Sequence, residues 1–204
     1  IIFCVKPNIL NEVAKSYQHL SAKVHYLSIA AGKTLLQLTE VLGEKSRIVR
    51  GMPNTPASVC EGITALVTDI RVSPSARDDC SIMMESIGEV VWIEDESLMD
   101  SVTAISGSGP AYVFLLIECL SKAGREVGLS EEISSKLARA TITGAGSLIR
   151  QSDLTATELR ANVTSPNGTT AAAMDVLLKS NTGLQEVISK AVIAARDRSK
   201  KLSN

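Results

Sequence analysis

Two segments of the chain carry residue types that packing alone does not require. The first is Ser106-Gly107-Ser108-Gly109-Pro110-Ala111, two serines and two glycines directly ahead of an apolar run. Such residues at a helix start leave backbone N–H groups open, and open N–H groups with the positive end of the helix dipole suit an anion. A flexible loop with an ordinary cap accounts for the same residues. The second segment is Asn162-Val163-Thr164-Ser165-Pro166-Asn167-Gly168-Thr169-Thr170, running into Ala171-Ala172-Ala173. Asn167-Gly168 turns the chain where small hydroxylated residues crowd a helix start. One serine or threonine is enough for an N-cap, yet Thr164, Ser165, Thr169 and Thr170 all stand here. The N–H groups of Thr169 and Thr170, with a hydroxyl, would grip a carboxylate. The dipole adds about 0.3–1 kcal/mol, so donor geometry carries most of the specificity.

Regular elements have to hold these segments. Ile1–Val5 is a continuous apolar run ending in Lys6-Pro7, which reads as a strand buried on both faces. Ile9, Leu10, Val13, Ala14, Tyr17 and Leu20 then recur at helical spacing. Strands are expected at Val24–Ile29, Arg47–Gly51, Gly62–Thr68 and Glu89–Ile93, and helices at Thr34–Leu42 and from Ser73-Pro74 to Gly88. Turns fall at Ala30-Ala31-Gly32 and Pro53-Asn54-Thr55-Pro56. Strands alternating with helices imply an α/β layer with a largely parallel sheet. From Glu94 onward no strand is evident. Helices are expected near Ser97–Ile105, Pro110–Val127, Glu131–Ile149, Thr155–Asn162, Thr170–Lys179 and Leu184–Lys201, with a capping box at Thr155 and Glu158. The fold class is therefore α/β plus all-α, divided as residues 1–93 and 94–204. The Pro110 helix is apolar nearly all round, and Ala138, Ala140, Gly144, Ala145 and Gly146 make the next one thin. A helix apolar on every side must be covered on every side, which predicts an obligate dimer through the helical half.

Composition removes other classes. The 204 residues hold 21 Lys plus Arg against 22 Asp plus Glu, a net charge of −1, so no basic surface invites nucleic acid or anionic membrane. Aromatics at 3% supply no stacking platform for single strands. No run reaches the ~20 consecutive apolar residues of a membrane span; Glu118 interrupts the longest candidate. Cys4, Cys60, Cys80 and Cys119 form no C-x-x-C pair and read as buried structural thiols in a reducing compartment. His19 and His25 lie in no metal or Ser-His-Asp pattern, so no metal is expected.

Ser106–Ala111 with Tyr112-Val113-Phe114, and Leu159-Arg160-Ala161-Asn162-Val163 through Thr170, resemble the pyrroline-5-carboxylate reductase family. Val5-Lys6-Pro7, Ala30-Ala31-Gly32, Met52-Pro53-Asn54-Thr55-Pro56 and Gly62 match as well. The resemblance covers essentially the whole chain. It implies part of a Rossmann-type dinucleotide-binding domain (1–93) followed by a helical dimerisation and substrate-binding domain (94–204). It also implies a cytoplasmic enzyme in which NADPH or NADH delivers hydride to the C=N carbon of 1-pyrroline-5-carboxylate, giving L-proline. Active sites would be shared across a homodimer, and dimers would build into larger assemblies such as a decamer of dimers. On the substrate side it implies Ser165, Gly168, Thr169 and Thr170, with the Thr170 hydroxyl at the ring nitrogen or carboxylate. Glu96 would be a substrate-proximal carboxylate able to stabilise a cationic iminium; without the family it reads as one acid of the solvated run Glu94-Asp95-Glu96. On the cofactor side it implies Val5, Lys6, Pro7, Ala31, Gly32, Asn54 and Asn162.

One departure concerns the phosphate loop. No G-x-G-x-x-G occurs in these residues, and against the family about 70 residues, roughly one Rossmann half, are expected upstream. The 204 residues alone are therefore expected to fold but not to turn over. A second departure, Asn167 where many relatives have glycine, is tolerated because asparagine accepts a positive φ. Two rivals stand beside this reading. A β-hydroxyacid dehydrogenase would require Lys at position 113 and Asn at 117, which are Val113 and Ile117. A non-catalytic dimerisation or ligand-binding module would show no turnover.

Overall fold

A computed structural model describes residues 1–203. The chain divides into two compact units, Ile1–Pro110 with the C-terminal stretch from Val192, and Ala111–Ala191. This division does not coincide with the change of composition near Glu94. Residues 94–110 belong to the first unit because Met99, 1% exposed, packs into that unit's core.

The first unit is built on a five-stranded sheet, β1 (Ile2–Phe3), β2 (His25–Ser28), β3 (Arg47–Met52), β4 (Gly62–Thr68) and β5 (Gly88–Trp92), in that spatial order. The pairs β1–β2, β2–β3 and β4–β5 are parallel, while β3–β4 is antiparallel, with Val49 opposite Thr68 and Met52 opposite Ala65. The sheet is largely parallel, as expected, with the β3–β4 pair making it mixed. Residues 53–61 between β3 and β4 hold only the 3₁₀ turn Thr55–Val59. A parallel return needs a crossover of about a dozen residues or more, and that connection is too short. The edge strand β1, paired on one side only, is also shorter than the Ile1–Val5 run.

Side chains alternate across the strands. Tyr26, Ile48, Ala65 and Val67 face α1 (Pro7–Lys15) and α2 (Leu35–Leu42), joining Phe3, Leu10, Leu38 and Leu42 in one core. Leu27, Val49 and Leu66 face α3 (Pro74–Glu85), joining Ala76, Cys80 and Met84 in the other. Burial on both faces is why these strands read as unbroken apolar runs. Local chemistry sets the helix starts. Thr34 and Gln37 form a capping box on α2, and Ser73 caps α3 ahead of Pro74.

The helix expected over Ser97–Ile105 is divided. A 3₁₀ turn (Glu96–Leu98) leads into α4 (Met99–Val102), and a π-helical turn over Thr103–Gly107 follows. Such π turns are widened segments often met at functional sites. This one contains the start of the serine–glycine segment.

The second unit holds most of α5 (Gly109–Glu126), then α6 (Glu131–Arg150), α7 (Ala156–Asn162), α8 (Thr169–Leu177) and the start of α9 (Leu184–Ser203), whose end belongs to the first unit. Ser130 and Thr155 cap α6 and α7. α5 buries no residue within the chain: Val113, Phe114, Leu115 and Leu116 are 39–59% exposed. The cysteine expectation also needs correction. Cys80 is buried, whereas Cys4, Cys60 and Cys119 are exposed, Cys119 on open α5 and Cys60 at the end of a surface turn.

Candidate functional site

In the first unit, β1 and β2 run parallel and deliver their carboxyl ends side by side. The chain leaves β1 through Cys4-Val5-Lys6 and enters α1 at Pro7, with Lys6 at the N-cap position and no side chain capping the helix. It leaves β2 through Ile29-Ala30-Ala31-Gly32. Gly32 has φ +72°, a left-handed conformation that costs an L side chain about 1–2 kcal/mol. Pro7, Ala31 and Gly32 line a cavity of about 540 Å³ together with Thr103, Ser108 and Arg198. Ligands in open α/β sheets bind beyond the strands' carboxyl ends, and ligand pockets run roughly 300–1,000 Å³. Gly32→Ala is expected to lower stability by about 1–2 kcal/mol. Thermal unfolding checks this, and an unchanged Tm would contradict the conformational requirement.

The other cofactor-side candidates are placed differently. Val5 is half-buried and packs against the first core, and Lys6 is exposed. The Asn54 side-chain carbonyl accepts the Ile63 N–H at 2.9 Å, so Asn54 joins the exit of β3 to β4. Glu96 is held firmly. Its Oε1 accepts from Arg50 Nη1 at 2.8 Å and from the Leu35 N–H at 2.8 Å. The solvated reading of Glu96 is thereby excluded, because its carboxylate is committed to a buried arginine and to a helix start. Its neighbour Asp95 caps the 3₁₀ turn, and hydrogen bonds from the Ser97 hydroxyl and N–H hold its carboxyl below the usual range.

In the second unit, α7 ends at Asn162, which is exposed. Two hydrogen bonds from Thr155 to Glu158 Oε2, at 2.7 and 2.8 Å, pin the helix start and lower the Glu158 pKa. The Thr164 hydroxyl donates to the Arg160 carbonyl at 2.6 Å, and the Gly168 N–H donates to the Ser165 carbonyl at 3.0 Å. Asn167 adopts φ +58°, the turn conformation expected of it. A Cβ on Gly168 would displace the Ser165 hydroxyl and crowd the Ser165 carbonyl at 3.1 Å, so a larger residue would disturb this turn. Despite the hydroxyls around it, no side chain caps α8. Four other helices, α2, α3, α6 and α7, are capped by Thr34, Ser73, Ser130 and Thr155. Among the described residues, the first turn of α8 thus keeps its N–H groups, including those of Thr169 and half-buried Thr170, without a side-chain acceptor.

The expected site residues are thus distributed over both units: Val5, Lys6, Pro7, Ala31, Gly32, Asn54 and Glu96 in the first, Asn162, Ser165, Gly168, Thr169 and Thr170 in the second. Sequence reasoning missed Arg50, Thr103 and Arg198. Arg50 carried a signal, a charge inside the apolar run of β3. Arg198 carried none, since a lysine- and arginine-rich helix end is the ordinary form.

Known proteins match both units. The family model for pyrroline-5-carboxylate reductase dimerisation matches residues 96–202. The pyrroline-5-carboxylate reductase of Pseudomonas aeruginosa is 37% identical over 204 residues, covering 100% of this chain and 74% of that protein. The chain belongs to the pyrroline-5-carboxylate reductase family. The structure of the Coxiella burnetii pyrroline-5-carboxylate reductase superposes with a TM-score of 0.94 at 36% identity, covering 100% of this chain and 75% of that one. The Plasmodium falciparum pyrroline carboxylate reductase, solved with NADP bound, gives a TM-score of 0.85 at 35% identity, with coverage of 100% and 77%. The chain spans about three quarters of these reductases. Both the strand-end cavity and the open start of α8 lie within the shared span.

Proposed function

We propose that the chain is the larger part of an NAD(P)H-dependent pyrroline-5-carboxylate reductase, reducing 1-pyrroline-5-carboxylate to L-proline. The observation that carries this is the match to reductases over the whole chain, one of them solved with NADP. The strand-end cavity fits the nicotinamide part of a dinucleotide in size and position, and Gly32 presents no side chain to it. The bound nicotinamide supplies hydride to the imine carbon.

This chain's residues bind and orient. Pro7, Ala31 and Gly32 shape the cavity wall, Val5 and Lys6 carry the chain into it, and Asn162 serves the ribose side. Thr169 and Thr170 offer the substrate carboxylate two N–H groups at the positive end of α8, and the Thr170 hydroxyl adds a third donor. Ser165 and Gly168 hold that loop in shape. A protonated imine is already electrophilic, so no strong general acid is required. Glu96, neutralised by Arg50, adds little charge toward an iminium.

α5 and α6 leave large apolar side chains open in the single chain, among them Phe114, Leu115, Ile133 and Leu137, each about half exposed, and exposed apolar faces of this kind mark interaction surfaces. A second copy covers this surface, in keeping with the dimerisation model over 96–202. The same partner shields the helical run Glu96–Glu126, which by length and composition alone is apolar enough to cross a bilayer. The dimer interface would exceed about 2,000 Å², the obligate range. Larger assemblies such as a decamer of dimers, a cytoplasmic location and the absence of metal, membrane and nucleic-acid partners complete the proposal. NADPH oxidation by the purified full-length protein, dependent on added pyrroline-5-carboxylate and yielding proline, tests it. Absence of proline formation with either dinucleotide would contradict it.

A further inference from the structure

Arg50 is an unusual residue for its place. It lies in β3 between Val49 and Gly51, is 5% exposed, and by strand alternation faces the same side as Ile48, toward α2. A guanidinium so placed must be matched by a carboxylate. Glu96 supplies it from 46 residues away, 2.8 Å from Arg50 Nη1. The same Oε1 accepts the N–H of Leu35, the first residue of α2, at 2.8 Å. One oxygen thus ties together the carboxyl end of β3, the turn after β5 and the start of α2.

The start of α2 is the far end of a short turn. Ala31 and Gly32 line the strand-end cavity, and Lys33 and Thr34 lead directly into Leu35. Fixing the Leu35 N–H therefore fixes one end of the cavity's wall. The Thr34–Gln37 capping box satisfies neighbouring N–H groups at the same helix start. The Glu96 bond anchors this turn to β3 through Arg50.

We propose that Arg50 and Glu96 are positioning residues for the dinucleotide, holding the Ala31–Thr34 turn in its binding shape without touching substrate. This deepens the reductase reading above and rests on it. Arg50 holds the Glu96 carboxylate in place through their 2.8 Å contact, and Glu96 passes that constraint to the turn through its 2.8 Å bond from the Leu35 N–H. Dinucleotide affinity therefore depends on a pair of residues that need make no contact with it.

The test uses Glu96→Gln, Arg50→Met and the double variant in the full-length protein. Dinucleotide affinity is read by fluorescence titration, and KM and kcat for pyrroline-5-carboxylate at saturating dinucleotide. Glu96→Gln should weaken dinucleotide binding about 10-fold, the effect of a misplaced wall, while kcat/KM for the imine stays within about 2-fold. The double variant breaks the same link and leaves no uncompensated buried charge, so its loss of dinucleotide affinity should stay near the roughly 10-fold of Glu96→Gln alone and not add. Selective loss of imine binding in Glu96→Gln would overturn the proposal and place Glu96 at the substrate. Equal loss toward both ligands, or a double variant whose defects simply add, would also overturn it, showing a merely structural pair. If a single variant fails to fold, the double variant and Arg50→Lys, which keeps the charge, supply the same comparison. Wild-type dinucleotide affinity in a double variant lacking the turn's anchoring bond in its own structure would equally refute the assignment. Failure of the reductase reading itself is distinguishable, since the parent would then bind dinucleotide and reduce no imine.

Discussion

Thr170→Val lowers kcat/KM for pyrroline-5-carboxylate about 10–100-fold, the scale of one lost oriented donor. Valine keeps the shape and β-branching of threonine, and Thr170 is the second residue of α8, where a β-branched side chain is no obstacle. The N–H of residue 170 survives the substitution, so carboxylate binding is weakened without being abolished. The effect should exceed that of Thr169→Val, because Thr169 is exposed whereas Thr170 is half-buried. Dinucleotide affinity should be unchanged. Steady-state kinetics with each ligand varied in turn read this out, and unchanged kinetics in Thr170→Val would refute the role given to the hydroxyl.

The second large effect concerns assembly. Phe114 is 59% exposed in the single chain, on a helix that buries none of its residues within the chain. Burial of a phenylalanine contributes about 1.5–3 kcal/mol, and an unpaired carboxylate in its place costs several more. Phe114→Glu should therefore raise the dimer dissociation constant on the order of 1,000-fold or more. Sedimentation at micromolar protein would show monomer, with loss of thermal stability because the helical unit loses its cover. A dimer of unchanged affinity would show that α5 faces something other than a second copy.

Much of this architecture was legible in the sequence, for identifiable reasons. Strands β2, β3 and β4 are buried on both faces, so each announces itself as an apolar run bounded by turn residues. Helix starts were legible where a side chain caps them, at Thr34, Ser73, Ser130 and Thr155. The antiparallel pairing of β3 and β4 was missed although its cause is local, a connection with no room for a crossover helix. The π turn at Thr103–Gly107 has no counterpart in hydrophobic spacing, which continues the helical period through Ile105.

The site was legible in halves. Clustered small hydroxylated residues marked the start of α8, because a cap needs only one of them. The Arg50–Glu96 link was invisible, since nothing local in either residue's neighbourhood indicates the other. In the run Glu94-Asp95-Glu96 the three acids look alike, and only the fold selects Glu96 to meet a buried guanidinium. The cysteines were misread for a related reason: apolar neighbours in sequence imply burial, but on α5 those neighbours are themselves open.

A crystal structure of the full-length reductase with L-proline and NADP⁺ tests the central claim most directly. The proline carboxylate should lie within hydrogen-bonding distance of the Thr169 and Thr170 N–H groups at the start of α8, with the Thr170 hydroxyl on the same ligand. The nicotinamide should occupy the cavity bounded by Pro7, Ala31 and Gly32. Proline bound with its carboxylate on other donors, and α8 left uncapped beside it, would contradict the account.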